Sequence, residues 1–302
     1  MNKQIKLAGH RGFKAGYPEN TIAAFQAAID AGCSVIETDI HITSDDKVII
    51  AHDINTARVF GADYNITKTP WNNVLSKLLT LEEPRSPIPL FDQLLDWCMN
   101  VCDGGTPIKI MLDIKTDNDP KKLYDLIWIS FNNRRGVEYW NDKIIWGLWK
   151  PHYYLPEYLL GQEVININFD LKSAKEFNES IKIKNGKLSG ISIIGISLSV
   201  DNDKKDLIAW CEKENIKLWF WTINKNWELN YAIEECKLKN STILEGFVTD
   251  DPISLCKYTP ITTKDIINWW FKKHIYKAFL FFFRRGYHLK FIFTILHKVG
   301  FI

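Results

Sequence analysis

VIETDIHITSDDKVIIAH, residues 35–52, is the stretch of sequence that decides the fold. It holds two apolar runs, Val35–Ile40 and Val48–His52, of the kind that forms buried β-strands. Only Ile42–Lys47 separates them, which is too short for the crossover of a dozen or more residues that joins parallel strands. Thr43–Asp46 therefore predicts a hairpin turn, after which the second run folds back against the first.

The folded-back strand stands out because the other apolar runs of the chain alternate with helical patterns. Short, continuous apolar runs are typical of the buried strands of a parallel sheet. Eight of them joined by helices predict a TIM (β/α)₈ barrel, with the hairpin strand lying over its C-terminal face. The predicted barrel strands are Ile5–Gly9, Val35–Ile40, Ile108–Ile114, Ile144–Leu148, Val164–Phe169, Ile191–Ser197, Lys217–Thr222 and Gly246–Thr249.

Two segments interrupt or end this alternation. Residues 55–89 form a long segment that contains four prolines, so we expect a small cap insertion on the same face of the barrel. The pattern stops after Pro252. We therefore predict a barrel domain over residues 1–257 and a separate tail over residues 258–302.

The tail differs from the barrel in charge and in aromatic content. Residues 262–302 hold eight Lys or Arg, one Asp and twelve aromatic residues, a net charge of +7; since the whole chain carries +2, residues 1–261 carry −5. Such a segment suits insertion into one leaflet of an anionic membrane, and it has no run of the roughly 18 apolar residues that span a bilayer. We predict a hydrophobic helical hairpin that turns at Arg284-Arg285-Gly286 and binds a membrane surface. The alternative is an amphipathic helix pair packed on the barrel.

The cysteines and the N-terminus predict the compartment. The six cysteines show no Cys-x-x-Cys pair and no disulfide-like spacing, and no charged-then-apolar leader precedes the first strand. We expect an intracellular protein that associates with a membrane from the cytosolic side, at the mitochondrial outer membrane, the endoplasmic reticulum or a lipid droplet. We expect no nucleic-acid partner, and the sequence identifies no protein partner.

Polar and charged side chains end several predicted strands, where barrel enzymes carry their catalytic groups. Glu37 and Asp39 are two residues apart on one strand and so project from the same face. Two such carboxylates repel each other unless a cation lies between them, and an oxygen-only set favours Mg²⁺, Ca²⁺ or Mn²⁺. The other candidates at strand ends are His10, Arg11, His52, Asp113 and Lys115.

Each of these features alone has a plain structural explanation. A Glu-x-Asp pair is usually a solvated strand end, and a single His is usually a hydrogen-bonding group. Their convergence on one rim favours chemistry, because two His, three carboxylates, an Arg and a Lys exceed what solvation requires. Cationic groups and a metal can neutralise charge on phosphate oxygens, and two imidazoles can divide the proton transfers, so the set predicts phosphodiester cleavage.

The order of these motifs resembles the glycerophosphodiester phosphodiesterase family over roughly residues 5–257. The motifs that carry the resemblance are His10-Arg11-Gly12, Pro18-Glu19-Asn20-Thr21, Glu37-Thr38-Asp39, Thr43-Ser44-Asp45, His52-Asp53, Asp113-Ile114-Lys115, Trp221-Thr222-Ile223-Asn224 and Thr249-Asp250-Asp251-Pro252. Within the family the chain most resembles the fungal phosphatidylglycerol phospholipase C branch. That closer resemblance is carried by Phe13-Lys14-Ala15, Met111–Lys115, Ile145–Trp149 and the hydrophobic C-terminal extension.

The resemblance implies a role for each chemical group. His10 and His52 would be the acid/base pair. One divalent cation would be held by Glu37, Asp39 and Asp113. The family mostly has Glu at the last of these positions, so the shorter Asp113 would reach the cation directly or through a water molecule.

The resemblance also implies how the substrate is held. Arg11 and Lys115 would bind its phosphate. Glu19 and Asn20 would brace or polarise the site, and Trp221 would line the headgroup pocket. The function implied first is hydrolysis of phosphatidylglycerol in a phospholipase C manner to diacylglycerol and glycerol 3-phosphate. The alternatives are hydrolysis of soluble glycerophosphodiesters or lysophospholipids, and a non-catalytic adaptor that binds anionic lipid.

Overall fold

The computed structural model of the protein describes residues 5–194, 203–237 and 242–256, and its sheet is a closed barrel. Eight parallel strands follow one another around it, and the first strand pairs with both the second and the last. The barrel strands are β1 (Lys6–His10), β2 (Val35–Ile42), β4 (Lys109–Ile114), β5 (Ile144–Leu148), β6 (Glu163–Asn168), β7 (Gly190–Ile194), β8 (Lys217–Trp221) and β9 (Leu244–Thr249). The predicted TIM-type barrel is confirmed.

The folded-back strand β3 (Val48–Ile50) pairs antiparallel with β2, as predicted. Ile42 lies opposite Val48, and the backbone N–H of Thr43 donates to the Lys47 carbonyl at 2.9 Å. Asp46 adopts the left-handed conformation (φ 62°) that the tight turn needs and that Asp tolerates better than most residues.

Helices alternate with the barrel strands and pack on its outside. Polar side chains start several of them: the Thr21 hydroxyl, the Asp119 carboxylate and the Asp170 carboxylate each accept a backbone N–H of the first turn. The helices in the described residues are α1 (Ile22–Asp30), α2 (Ala57–Phe60), α3 (Phe91–Asp103), α4 (Pro120–Asn132), α5 (Val137–Trp140), α6 (Pro156–Leu159), α7 (Leu171–Lys182), α8 (Asp203–Glu214), α9 (Asn226–Lys237) and α10 (Pro252–Cys256).

Alternation along each strand separates the outer core from the barrel interior. On β2, Ile36 and Ile40 join the large core between sheet and helices, whereas Val35 belongs to a small cluster inside the barrel. Glu37 and Asp39 share the inward face with Val35 and lie closer to the C-terminal end. The interior is therefore apolar at its lower level and acidic at its mouth.

Residues 55–89 form a compact cap, as expected for the insertion. It contains α2 and two 3₁₀ turns, Ile66–Lys68 and Leu75–Lys77, and packs on the hairpin strand through a small apolar cluster. The Asp45 carboxylate of the hairpin turn accepts the backbone N–H groups of Trp71 and Asn72 at 2.7 and 3.1 Å. These bonds attach the cap to the hairpin.

The predicted tail, residues 258–302, lies outside the described residues, so its membrane-binding hairpin stays a prediction. Within residues 5–194, 203–237 and 242–256, none of the helices is both long and apolar enough to cross a bilayer.

Candidate active site

Three buried carboxylates meet at the C-terminal mouth of the barrel. Asp39 and Asp113 lie directly opposite each other on the paired strands β2 and β4, and Glu37 lies opposite His10 on β1. One carboxylate oxygen from each of Glu37, Asp39 and Asp113 lies within 4.8 Å of the other two. Strand register therefore brings together the three residues that the sequence predicted as metal ligands.

The three carboxylates carry more negative charge than the neighbouring Lys115 and Arg11 neutralise. Lys115 Nζ lies 2.7 Å from both Asp39 Oδ1 and Asp113 Oδ2. Burial alone would raise the pKa of Asp39, but Lys115 and then Arg11 hold it well below its usual range. Burial raises the pKa of Glu37, and the charges of Asp39 and Asp113 raise it further. A divalent cation would relieve that repulsion, and three carboxylates are the ligands that Mg²⁺, Ca²⁺ and Mn²⁺ accept, so the residues present fit such an ion.

His10 is oriented by a carboxylate that the sequence analysis gave no role. Its Nδ1 lies 2.6 Å from Asp250 Oδ1, and its Nε2 lies 4.0 Å from Glu37 Oε2. Asn224 holds Asp250 in turn, since its Nδ2 donates to Asp250 Oδ2 at 2.8 Å. Burial alone would raise the pKa of Asp250, but its hydrogen bond with His10 lowers it to about 2. With Nδ1 protonated and donating to Asp250, His10 turns an unprotonated Nε2 towards the carboxylate triad.

Burial lowers the pKa of His10, even though its hydrogen bond with Asp250 acts in the opposite direction. The imidazole is therefore neutral near pH 7, which is the form that can accept a proton.

Arg11 follows β1 in a left-handed turn and reaches across the triad. Its backbone N–H donates to Glu37 Oε2 at 2.9 Å, and its Nη1 donates to Glu19 Oε1 at 3.0 Å. Gly12 continues the turn at φ +84°, and a Cβ there would lie 2.6 Å from the backbone of Ala24. Only glycine lets the loop return so closely over α1, which explains the third residue of the His10-Arg11-Gly12 motif.

Glu19 and Asn20, which the resemblance implies would brace or polarise the site, both make hydrogen bonds to groups at the barrel mouth. Asn20 Nδ2 donates to Asp39 Oδ2 at 2.8 Å, and its side-chain oxygen accepts the Thr38 hydroxyl at 2.8 Å. Asn20 is left-handed as well (φ 58°), a conformation that Asn adopts more readily than most residues. Its side chain therefore fixes one oxygen of a predicted metal ligand.

His52 lies on the same rim, carried by the folded-back hairpin. The backbone N–H of Ala51 donates to the Asp39 carbonyl at 3.0 Å, and His52 Nδ1 lies 2.7 Å from Asp53 Oδ1. Burial lowers the pKa of His52; among the charges that act on it, Asp39 raises it and Lys115 lowers it. Both candidate imidazoles thus have Nδ1 on a carboxylate, which leaves each Nε2 for a substrate.

An aromatic wall stands beside the triad. Trp221 contacts both Trp149 and Phe169, with ring centroids 6.0 and 5.6 Å apart, and Phe169 is 58% exposed. Trp149 Nε1 also donates to Asp113 Oδ1 at 2.7 Å. Trp221 was predicted from its motif, whereas Trp149 and Phe169 were not assigned a role.

A simple signal could have found most of the residues that the sequence analysis missed. Trp149, Phe169 and Asp250 each directly follow a barrel strand, as Arg11 and Lys115 do. Asp53 is adjacent to a predicted histidine. Arg58 lies in the cap, and no strand end or spacing indicates it.

A model of the glycerophosphoryl diester phosphodiesterase family matches residues 10–254 of the chain. Human lysophospholipase D GDPD1 is 33% identical over 149 residues, which are 45% of this chain and 45% of that protein. A glycerophosphodiester phosphodiesterase from Caldanaerobacter subterraneus is 23% identical over 268 residues, 82% of this chain and 95% of that protein. The chain thus spans less than half the length of the human relative.

The fold is found in solved structures. A phosphodiesterase from Oleispira antarctica, in complex with the product sn-glycerol-3-phosphate, superposes with a TM-score of 0.65. The superposition covers 84% of this chain and 96% of that one at 18% identity. At this identity the likeness shows a shared barrel.

Proposed function

Because the chain belongs to the glycerophosphoryl diester phosphodiesterase family, we propose that it hydrolyses glycerophosphodiesters, including lysophospholipids. The observation that carries this proposal is the pair of carboxylate-bound imidazoles, His10 and His52, on the rim of a buried three-carboxylate cluster. This substrate class was an alternative in the sequence analysis. It is preferred here because the similar proteins are a human lysophospholipase D and a bacterial glycerophosphodiester phosphodiesterase.

The substrate's own hydroxyl is the nucleophile in the proposed reaction. A glycerophosphodiester carries a hydroxyl next to its phosphorylated carbon, so attack on phosphorus is intramolecular and favoured by proximity. One histidine removes the hydroxyl proton through Nε2, and the other protonates the leaving alcohol oxygen. A cyclic phosphate results, and water opens it to the glycerol phosphate with the two proton roles exchanged.

The charged residues around the histidines hold the phosphate during these steps. A divalent cation held by Glu37, Asp39 and Asp113 would neutralise charge on the phosphate oxygens when bound. Lys115 and Arg11 add positive charge on the same side of the mouth. Asp250 and Asp53 hold the two imidazoles with Nε2 facing the substrate.

A second candidate is cleavage of phosphatidylglycerol in a phospholipase C manner. The sequence of residues 262–302, with its +7 charge and twelve aromatic residues, favours a substrate at an anionic membrane surface. The chemistry is the same, because the glycerol headgroup of phosphatidylglycerol also carries a hydroxyl next to the phosphate. The intracellular, membrane-associated location expected from the sequence fits this second candidate.

Five substrates separate these candidates: glycerophosphocholine, lysophosphatidylcholine, lysophosphatidylglycerol, phosphatidylglycerol and phosphatidylcholine. The proposal expects release of choline from the first two, loss of activity with a chelator and its return with an added divalent cation. Hydrolysis of phosphatidylglycerol to diacylglycerol, with glycerophosphocholine left intact, would support the second candidate instead. Phosphatidylcholine has no free hydroxyl next to its phosphate, so it should not be hydrolysed in either case.

The matched control is His152, which packs against Tyr153 (ring centroids 4.6 Å apart) and makes none of the contacts described for the site. His52→Asn should abolish turnover, whereas His152→Gln should leave it within about twofold of wild type. A fully active His52→Asn variant would contradict the proposal, and no hydrolysis of any of the five substrates by wild type would favour the adaptor alternative.

A further inference from the structure

A single arginine of the cap contacts the carboxylate that orients His52. Arg58 is in α2, and its Nε donates to Asp53 Oδ2 at 2.7 Å. The other oxygen of Asp53 lies 2.7 Å from His52 Nδ1. A continuous chain of hydrogen bonds therefore runs from the cap to one candidate acid/base group.

The rest of the same guanidinium binds a second carboxylate of the site. Arg58 Nη1 and Nη2 donate to the two oxygens of Glu19 at 2.8 and 2.6 Å, in the bidentate geometry that makes Arg–carboxylate pairs strong and directional. Glu19 also accepts from Arg11, whose backbone N–H donates to Glu37. Arg58 thus links the His52 pair to the carboxylate triad.

The two carboxylates differ in how much they need this partner. The side chain of Glu19 is 7% exposed and has Arg11 as a second cation, so it keeps a partner if Arg58 is removed. The side chain of Asp53 is 29% exposed, and Arg58 is the cation that the structure pairs with it besides His52. Loss of Arg58 should therefore act mainly on Asp53 and, through it, on His52.

We propose that Arg58 is a positioning residue, which holds Asp53 so that the cap fixes the orientation and the protonation of His52. Without the guanidinium, no positive charge partly neutralises Asp53, so its negative charge acts more strongly on the imidazole. The Asp53 side chain is also free to rotate. The first change favours a protonated His52, and the second favours a misoriented one. The function of this contact rests on the proposed hydrolase activity, but its effect on the imidazole does not.

Other charged groups besides Asp53 act on His52, and we expect them to stay in place when Arg58 is changed. Asp39, Lys115 and Arg11 act on its charge, and the buried side chain of His41 lies against its carbonyl, with Nε2 to oxygen at 3.2 Å. Arg11 shares Glu19 with Arg58, so a response of His52 is assigned to the Asp53 contact when it disappears in an Asp53→Asn background.

The first experiment needs no substrate. NMR titration of the histidine imidazoles in full-length protein should show His52 titrating at higher pH in Arg58→Met than in wild type, with His10 unchanged. Arg85 is the matched control, because it is an arginine of the same cap that pairs with Glu83 rather than with the site. Arg85→Met should leave both titrations unchanged. A His52 titration that does not move in Arg58→Met would overturn the proposal.

The second experiment tests whether Arg58 acts through Asp53. Arg58→Met should lower kcat by about 10- to 100-fold, by analogy with the outer hydrogen-bond partners of metal-ligating histidines, with a smaller change in KM. In an Asp53→Asn background the same substitution should cost only about twofold more, because residues that act as one unit are not additive. If the two substitutions lower kcat by factors that simply multiply in the double variant, Arg58 does not act through Asp53 and this part of the proposal is refuted.

A loss of folding is separated from a loss of positioning by a conservative variant. Arg58→Lys keeps the charge but cannot bind both carboxylates with a planar fork, so it should fold and recover only part of kcat. Full recovery by Lys would mean that charge alone is needed, which also contradicts the positioning role. If wild type hydrolyses no phosphodiester, the NMR result still decides whether Arg58 sets the state of His52.

Discussion

Replacement of Asp250 by Asn tests the arrangement of His10 most directly. The change keeps the size of the side chain and removes the charge that lies 2.6 Å from His10 Nδ1. A hydrogen bond to a charged group contributes about 1.5–3 kcal/mol, and the pair is largely buried, with 14% and 23% of the two side chains exposed. If this energy stabilises the imidazolium in the transition state, its loss lowers kcat by roughly 10- to 150-fold, at about 1.4 kcal/mol per tenfold change.

A second effect adds to the loss. The Asn amide can donate to Nδ1, which would place the proton on Nε2 and leave His10 in the tautomer that cannot accept the substrate proton. The decrease should therefore lie at or beyond the upper end of that range, with KM for glycerophosphocholine changed much less. Because the negative charge of Asp250 raises the pKa of His10, its removal should move the limb of the pH–rate profile that belongs to His10 to lower pH.

The assay is steady-state hydrolysis of glycerophosphocholine across pH 5–9, with Asp251→Asn as the matched control. Asp251 is the next residue, and its side chain accepts from Ser254 at the start of α10. The control should keep wild-type kcat. If Asp250→Asn retains kcat within about twofold and an unchanged pH profile, His10 does not depend on this carboxylate and the acid/base assignment is wrong.

Three further outcomes follow from the same site. Asp53 and Asp250 have pKa values of about 2 in the folded protein, below the ordinary 3.8, so the stability they contribute is full above about pH 4–5 and is lost as the pH falls towards 2. Urea midpoints should therefore fall less between pH 6 and pH 3 in Asp250→Asn than in wild type. A divalent cation at 100 times its Kd should add about 2.7 kcal/mol to the free energy of unfolding, and Glu37→Gln should remove most of that increment; equal stabilisation of both proteins would place the cation elsewhere. Trp149→Phe keeps an aromatic ring but removes the N–H that donates to Asp113, and it should weaken divalent-cation affinity, measured by calorimetry, about tenfold. Unchanged affinity would argue against Asp113 as a ligand.

The sequence by itself determined the barrel and most of the groups at its mouth. Apolar runs alternating with helical patterns indicate parallel strands, and the short spacing between Val35–Ile40 and Val48–His52 excludes a crossover helix there. A residue two positions from another on a strand shares its face, so the common orientation of Glu37 and Asp39 follows from spacing alone. These inferences succeed because strand periodicity and connection length are local properties of the chain.

Only the tertiary structure decided how these groups are partnered. Asp250 is 240 positions from His10, yet β1 and β9 close the barrel side by side, so the last strand delivers the carboxylate that orients the first histidine. Arg58 reaches Glu19 from the cap, a segment with four prolines and two 3₁₀ turns whose sequence has no periodic apolar pattern. Contacts of this kind depend on strand register and loop path, and these are set by packing of the whole barrel rather than by any single segment.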